Sequence, residues 1–187
     1  VSWTGSLLVA VGDDGLILTS PDGVSWTLRK PPVRDYFKCL LWTGSNLLAA
    51  GGRTILSSTD GITWTSKVFD VANTRFASIA YSGSMYVVAG GLGNIATSPD
   101  GVAWTIRQAP EADDNYSVTW TDSLFIMFNS YSHLLESRDG IAWTLGPETS
   151  RYLMAAVWNG KDLLTVGRYG EVKISPAGRK SWSDWAT

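Results

Sequence analysis

The sequence has one cysteine and one histidine among 187 residues. A lone Cys39 excludes an internal disulfide framework, and Cys39 with His133 is too few ligands for a zinc site. No metal or cofactor is expected. No apolar run approaches the roughly 18–20 residues that a membrane-spanning helix needs, so membrane insertion is not expected either. Positive charge is in no excess: 15 Lys and Arg against 17 Asp and Glu give a formal net charge of −2. The pI near 5.3 carries no basic footprint for nucleic acid. Helical periodicity of useful length is also missing. With 44% hydrophobic and 17% charged residues, the composition is that of one globular domain.

What the chain does have is ten tryptophans and nineteen glycines, and they recur in step. Ser20-Pro21-Asp22-Gly23-Val24-Ser25-Trp26-Thr27 returns as Ser58-Thr59-Asp60-Gly61-Ile62-Thr63-Trp64-Thr65. It returns again as Ser98-Pro99-Asp100-Gly101-Val102-Ala103-Trp104-Thr105 and as Ser137-Arg138-Asp139-Gly140-Ile141-Ala142-Trp143-Thr144. A fifth copy, Ser175 to Trp182, has Ala177 in place of the aspartate and is one residue longer. A second register places Trp3, Trp42, Tyr81, Trp120 and Trp158 at steps of 38 or 39 residues, each opening a turn. Two registers sharing one period establish an internal repeat.

Each unit of about 39 residues reads as four short strands. In the third, Phe76–Tyr81, Met85–Ala89, Asn94–Ser98 and Ala103–Arg107 are rich in β-branched and aromatic residues, and Gly, Asp, Ser and Asn fill the gaps. Four strands per repeat at this period predict propeller blades. The expected fold is therefore an all-β, five-bladed β-propeller with four antiparallel strands per blade, a small closed ring. It is read as one domain over 1–187, with blades near 1–30, 31–68, 69–108, 109–146 and 147–187. The first repeat begins short and no initiating Met is present. The ring is thus expected either to close with frayed strands at the seam or to have been excised from a longer polypeptide, and to be monomeric unless it comes from a larger assembly.

The Asp-Gly turns resemble the Asp-box, or bacterial neuraminidase repeat, of sialidases and many other propellers. The resemblance runs blade by blade through nearly the whole chain. The family pattern usually sets one residue between Asp and Gly; here the two are adjacent, which makes these a shortened variant. The resemblance implies a structural box lying away from any active site. The residues agree with that: an Asp side chain can accept bonds from its own turn's backbone N–H groups, Ser can act similarly, and the following Trp is placed to cover the turn and fill the wedge between blades. Nine of the ten tryptophans fall in the two registers, so cement between blades explains them better than a sugar-binding array.

Specificity is expected where the repeats diverge. In an up-and-down blade with strands A to D, the A–B and C–D turns lie at one end, and the D–A connections and B–C turns at the other. The first set is nearly constant; the second varies. That variable end gathers Arg34, Asp35, Tyr36, Arg53, Arg75, Asp114, Tyr131, Arg151, Tyr152, Arg168 and Tyr169, with Asp113 and Glu171 nearby. It reads either as a pocket whose forked donors bind an anionic or polyhydroxylated ligand, or as a solvated rim of weak local pairs.

No catalytic set emerges. A sialidase needs an arginine triad, a Tyr/Glu pair and an acid. Tyr169 and Glu171 stand at i, i+2, the Arg-Ile-Pro motif is absent, and that family has six blades. Cys39 lies mid-strand as a small core residue, His133 has no partner motif, and Asp13-Asp14 lacks calcium-loop spacing. The chain is read as a non-catalytic binding module, foremost a lectin-like recogniser of surface glycans on a secreted, virion or cell-surface protein. The alternative is a protein-docking scaffold, similar to the Asp-box propellers that assist photosystem assembly. A propeller that retains no ligand is the third possibility.

Overall fold

The computed structural model describes residues 1–130, 133–148 and 153–175. Local chemistry fixes its turns first. At the first Asp-Gly turn, Ser20 Oγ accepts from Gly23 N at 2.8 Å and donates to Asp22 Oδ1 at 3.0 Å. The same carboxylate oxygen accepts from Val24 N and Ser25 N at 2.9 and 2.8 Å. The Trp26 indole N–H closes the motif on Gly23 O at 3.1 Å. The pattern repeats at Ser58, Asp60, Gly61 and Trp64, at Ser98, Asp100, Gly101 and Trp104, and at Ser137, Asp139, Gly140 and Trp143. Trp182, the last expected member, lies outside the described residues.

These turns join antiparallel strands into five sheets. The first holds β1 (Ser2–Trp3), β2 (Leu8–Val11), β3 (Ile17–Ser20) and β4 (Thr27–Arg29); the second holds β5 (Cys39–Trp42), β6 (Leu47–Gly51), β7 (Thr54–Ser58) and β8 (Thr65–Val68). The third holds β9 (Ser78–Tyr81), β10 (Tyr86–Ala89), β11 (Asn94–Ser98) and β12 (Thr105–Gln108). The fourth holds β13 (Asn115–Trp120), β14 (Phe125–Asn129), β15 (His133–Ser137) and β16 (Thr144–Glu148), and the fifth β17 (Leu153–Trp158), β18 (Leu163–Gly167) and β19 (Val172–Ser175). Within each sheet, spatial order follows chain order. Helix is confined to three 3₁₀ turns among the described residues.

The sheets stack through their first strands, β1 on β5, β5 on β9, β9 on β13 and β13 on β17. Because strand side chains alternate, each inner sheet is apolar on both faces. Four clusters fill the four seams. Val9 and Ile17 meet Leu47, Ala49, Leu56 and Trp64. Leu48, Ala50 and Ile55 meet Tyr86, Val88 and Ala96. Val87, Ala89 and Ile95 meet Phe125, Met127, Leu135 and Trp143. Ile126, Phe128 and Leu134 meet Leu153 and Leu163. Cys39 packs against the second of these clusters, and burial pushes its thiol up to about 12, consistent with a core rather than a nucleophilic role.

The repeated indoles divide as this stacking dictates. Trp64 and Trp143 are 7% and 8% exposed, each pressed on the preceding sheet, and Trp42, Trp104, Trp120 and Trp158 are half-buried. Trp3 and Trp26 depart from the expected wedge-filling role, being 50% and 39% exposed. They belong to the first sheet, which among the described residues has no preceding sheet to cover them.

Candidate functional site

The two kinds of loop segregate to opposite ends. The C–D turns of the second, third and fourth sheets meet the A–B turn or adjoining strand of the sheet before: a Cβ at Gly61 would touch Leu7 and Val9, one at Gly101 Asn46, and one at Gly140 Met85 and Val87. At the other end the D–A connections lie across the B–C turns. Gly15 N donates to Asp35 O at 2.6 Å, Phe37 N to Gly12 O at 3.1 Å, and Phe76 N to Gly52 O at 3.0 Å. Further round, Gly91 N donates to Thr74 O and Gly93 N to Asp113 O, both at 2.6 Å.

One connection is held with particular care. Phe69 and Phe76 meet edge-to-face, their centroids 5.3 Å apart, both buried in the second seam. Phe69 N donates to Arg53 O at 2.9 Å, so the six residues Asp70–Arg75 leave and re-enter the core beside the Gly51–Arg53 turn. Asn73 and Arg75 turn the chain with φ of +58° and +35°, and the buried Thr74 bonds Gly52 O through its hydroxyl at 3.0 Å.

The result is a cavity of about 560 Å³ lined by Arg34, Asp35, Tyr36, Gly52, Arg53 and the whole 70–75 segment. Five of the residues expected from the sequence therefore converge: Arg34, Asp35, Tyr36, Arg53 and Arg75. Asp114 joins from the next connection, 4.0 Å from Arg75 Nη1. Arg168 and Tyr169 sit on the fifth sheet's B–C turn and do not line this cavity; Tyr169 is 92% exposed at a φ of +60°. Tyr131, Arg151 and Tyr152 lie outside the described residues.

The roles within the cavity differ. Asp35 is a positioning residue: its Oδ2 accepts from Arg53 N at 3.1 Å and Thr54 Oγ1 at 2.7 Å, and its Oδ1 from Tyr36 N at 2.9 Å. A side chain at Gly52 would collide with that carboxylate, and one at Gly51 with the Tyr36 carbonyl. Both glycines are thus required by close approach rather than by turn geometry alone. Arg34 reaches Asp14 at 3.5 Å, both side chains 79% exposed, a pair of little strength. The exposed Arg53 guanidinium has no partner among the described residues. The lining carries three arginines and two aspartates, Asp35 and Asp70, while Asp14 and Asp114 each lie against one of the arginines. Among the described residues the Arg53 guanidinium is the forked donor of this lining left for a carboxylate.

On sequence, Gly52, Asp70, Asn73 and Thr74 fall in the divergent loops of the variable end but are not singled out as site residues. The Phe69-x6-Phe76 bracket is the further signal for them, and its meaning depends on a ring contact that spacing alone does not fix.

A second polar cluster sits on the fourth sheet. His133 Nδ1 lies 2.6 Å from Glu111 Oε2, which also accepts from Asn129 Nδ2 at 2.8 Å. Among the described residues no group of three or more His, Cys, Asp or Glu side chains is placed to hold a metal ion.

No family model matches the chain, and no curated protein matches it in sequence. Its backbone does match solved structures. The chain superposes on YCF48 bound to D1 peptide with a TM-score of 0.71 at 18% identity, covering 97% of this chain and 63% of that one. It superposes on the WD40 β-propeller domain of Doa1 with a TM-score of 0.70 at 11% identity, covering 92% and 62%. A chain of the nidogen/laminin complex gives 0.71 at 14%, covering 96% and 75%. The fold is that of a β-propeller. The five sheets are its blades, and they fit the five repeats. The chain spans a little over three-fifths of the length of the first two of these propellers, and the Arg-lined cavity lies at the propeller's variable end, between the second and third blades.

Proposed function

We propose that this chain is a non-catalytic docking propeller whose Arg34, Arg53 and Arg75 cavity takes an acidic segment of a protein partner. The observation that carries the reading is Arg53: a guanidinium without a partner among the described residues, its backbone fixed by Asp35, on the lining of a concavity of about 560 Å³. A forked donor held this way suits carboxylates. Propellers of the same fold that engage proteins or peptides include YCF48 with its D1 peptide and the chain in the mitotic checkpoint complex. Those likenesses support docking by fold analogy alone. We assign the four Ser-x-Asp-Gly-x-x-Trp turns to the Asp-box type as part of the same proposal, on their shared bonding pattern.

Glycan recognition, the reading favoured on sequence, has no comparable support. In each described Asp-Gly turn the indole N–H is spent on the turn's own glycine carbonyl, and Trp64 and Trp143 are buried against the preceding blade, so those two offer a sugar no open ring face to stack on.

Selection from a displayed library of random dodecapeptides tests the proposal, with a glycan array run in parallel. Peptides rich in Asp and Glu should be enriched, and Arg53→Glu with Arg75→Glu should reduce their affinity roughly tenfold or more. Glycan signals without peptide enrichment, or peptides indifferent to both substitutions, overturn it.

A further inference from the structure

The first and last blades each present an apolar face that their inner counterparts bury. On the fifth blade the cross-strand register puts Val157, Leu164 and Ile174 in one row and Ala155, Val166 and Val172 in the next, all on the side away from the fourth blade. Val172 occupies the repeat position held by Ile17, Ile55, Ile95 and Leu134. Those four are 0–2% exposed; Val172 is 52% exposed. Val166 stands where Phe128 is 1% exposed, yet is itself 42% exposed. Val157 and Ile174 follow at 56% and 45%.

The first blade shows the opposite half of the same defect. Trp26 is 39% exposed where Trp64 and Trp143 are 7% and 8%, and Leu8 and Leu18 are half-buried where their counterparts Leu47 and Leu56 are 0% exposed. A Cβ at Gly61, Gly101 or Gly140 would touch residues of the preceding blade, whereas one at Gly23 would touch only Leu8 of its own blade.

The two free faces are therefore the leading and trailing halves of one repeating seam. Were the first blade seated on the fifth, both would be covered. Apolar faces of this kind mark an interface, and the pattern of the four existing seams says what fits it: a blade of the same repeat. Propeller lengths agree. About 181 residues of this chain, 97% of 187, span 63% of the YCF48 chain, leaving about 107 residues of that chain unmatched. At a repeat of about 39 residues, that is room for two to three blades. A second copy would offer the right face but bring five blades into that room, and a head-to-tail contact that does not close propagates.

We propose that the 187 residues form an open arc, and that two to three further blades of the same polypeptide close the ring by covering the Val157/Val166/Val172/Ile174 face and the Trp26/Leu18 face. This rests on the seams alone and is independent of the docking reading.

Thiol accessibility tests it. Val172→Cys is made in the 187-residue chain and in the whole polypeptide encoded by its gene, with the half-buried Cys39, whose thiol is pushed up to about 12, as the internal slow reference, and maleimide labelling rates are compared. Val157→Cys serves as a second variant should the first fold poorly. The introduced thiol should react rapidly in the 187-residue chain and roughly tenfold or more slowly in the whole polypeptide, at every protein concentration. Labelling as slow as Cys39 in the 187-residue chain would mean its own first blade already closes the ring. Equal rates in both proteins, protection that grows with concentration, or an encoded polypeptide without further repeats would each overturn the proposal.

Discussion

Trp64 and Trp26 have the same sequence neighbourhood and the same indole-to-glycine bond, at 3.1 Å in both, but different surroundings. Replacing each by alanine in the 187-residue chain isolates what the seam contributes. A tryptophan buries about 150–250 Å², an upper limit of about 4–6 kcal/mol at about 25 cal/mol per Å². At 7% exposure, between the first and second blades, Trp64→Ala leaves a cavity and should cost about 3–5 kcal/mol. At 39% exposure, Trp26→Ala removes less buried area, and the space it leaves fills with water, so about 1–2 kcal/mol is expected. At roughly 2–4 °C per kcal/mol for a chain of this size, Tm should fall by roughly 6–20 °C for Trp64→Ala and roughly 2–8 °C for Trp26→Ala. Thermal and urea unfolding followed by far-UV circular dichroism give both numbers without relying on tryptophan emission. Trp64→Phe, which loses the N–H but keeps most of the area, should fall between them. Equal losses for the two alanine variants would refute the assignment of Trp64 as seam cement and Trp26 as an open-face residue.

Acid sensitivity should trace to the Asp-Gly turns. Backbone N–H bonds from Thr63 and Ile62 lower the Asp60 carboxyl to about 2, and Asp22, Asp100 and Asp139 are lowered by the same kind of bonds. A depressed carboxyl stabilises the fold above its unfolded value near 3.8, and that stability drains away as pH falls toward about 2. Urea midpoints across this window should drop in the wild type and drop less after all four are changed to Asn; an unchanged acid slope would remove the turns as its source. At the cavity, Asp35→Ala removes a negative charge, so simple electrostatics predicts tighter acidic-peptide binding. If its work is to hold Arg53 and Thr54, affinity should instead fall, with about 1–3 kcal/mol of stability lost. Fluorescence polarisation with a selected peptide decides by the sign.

What the sequence made legible follows from the range of the interactions involved. The Ser20–Trp26 motif and its copies were readable because every bond in them spans two or three residues. The segregation of constant and variable loops followed from strand order. The gathering of Arg34, Arg53 and Arg75 at one end was also readable, but their sharing of a single cavity was not. That convergence depends on Phe69 meeting Phe76 and on Asp35 reaching residues 18 and 19 positions away. Assigning Asp35 to ligand contact missed its engagement with the Arg53 turn for the same reason. The exposure of Trp26 was invisible for a different one: nothing in Ser20–Thr27 distinguishes it from Ser58–Thr65, and only the neighbouring sheet does.

The Phe69–Phe76 clasp makes part of the connection inside it exchangeable. Thr74 is buried and bonded to Gly52, but Asp70, Val71 and Ala72 are exposed or half-buried, so that stretch can be rewritten, or lengthened at small entropic penalty, while the scaffold beneath stays as it is. New partner preferences can arise there by drift in a handful of codons, and a grafted recognition sequence belongs at the same place.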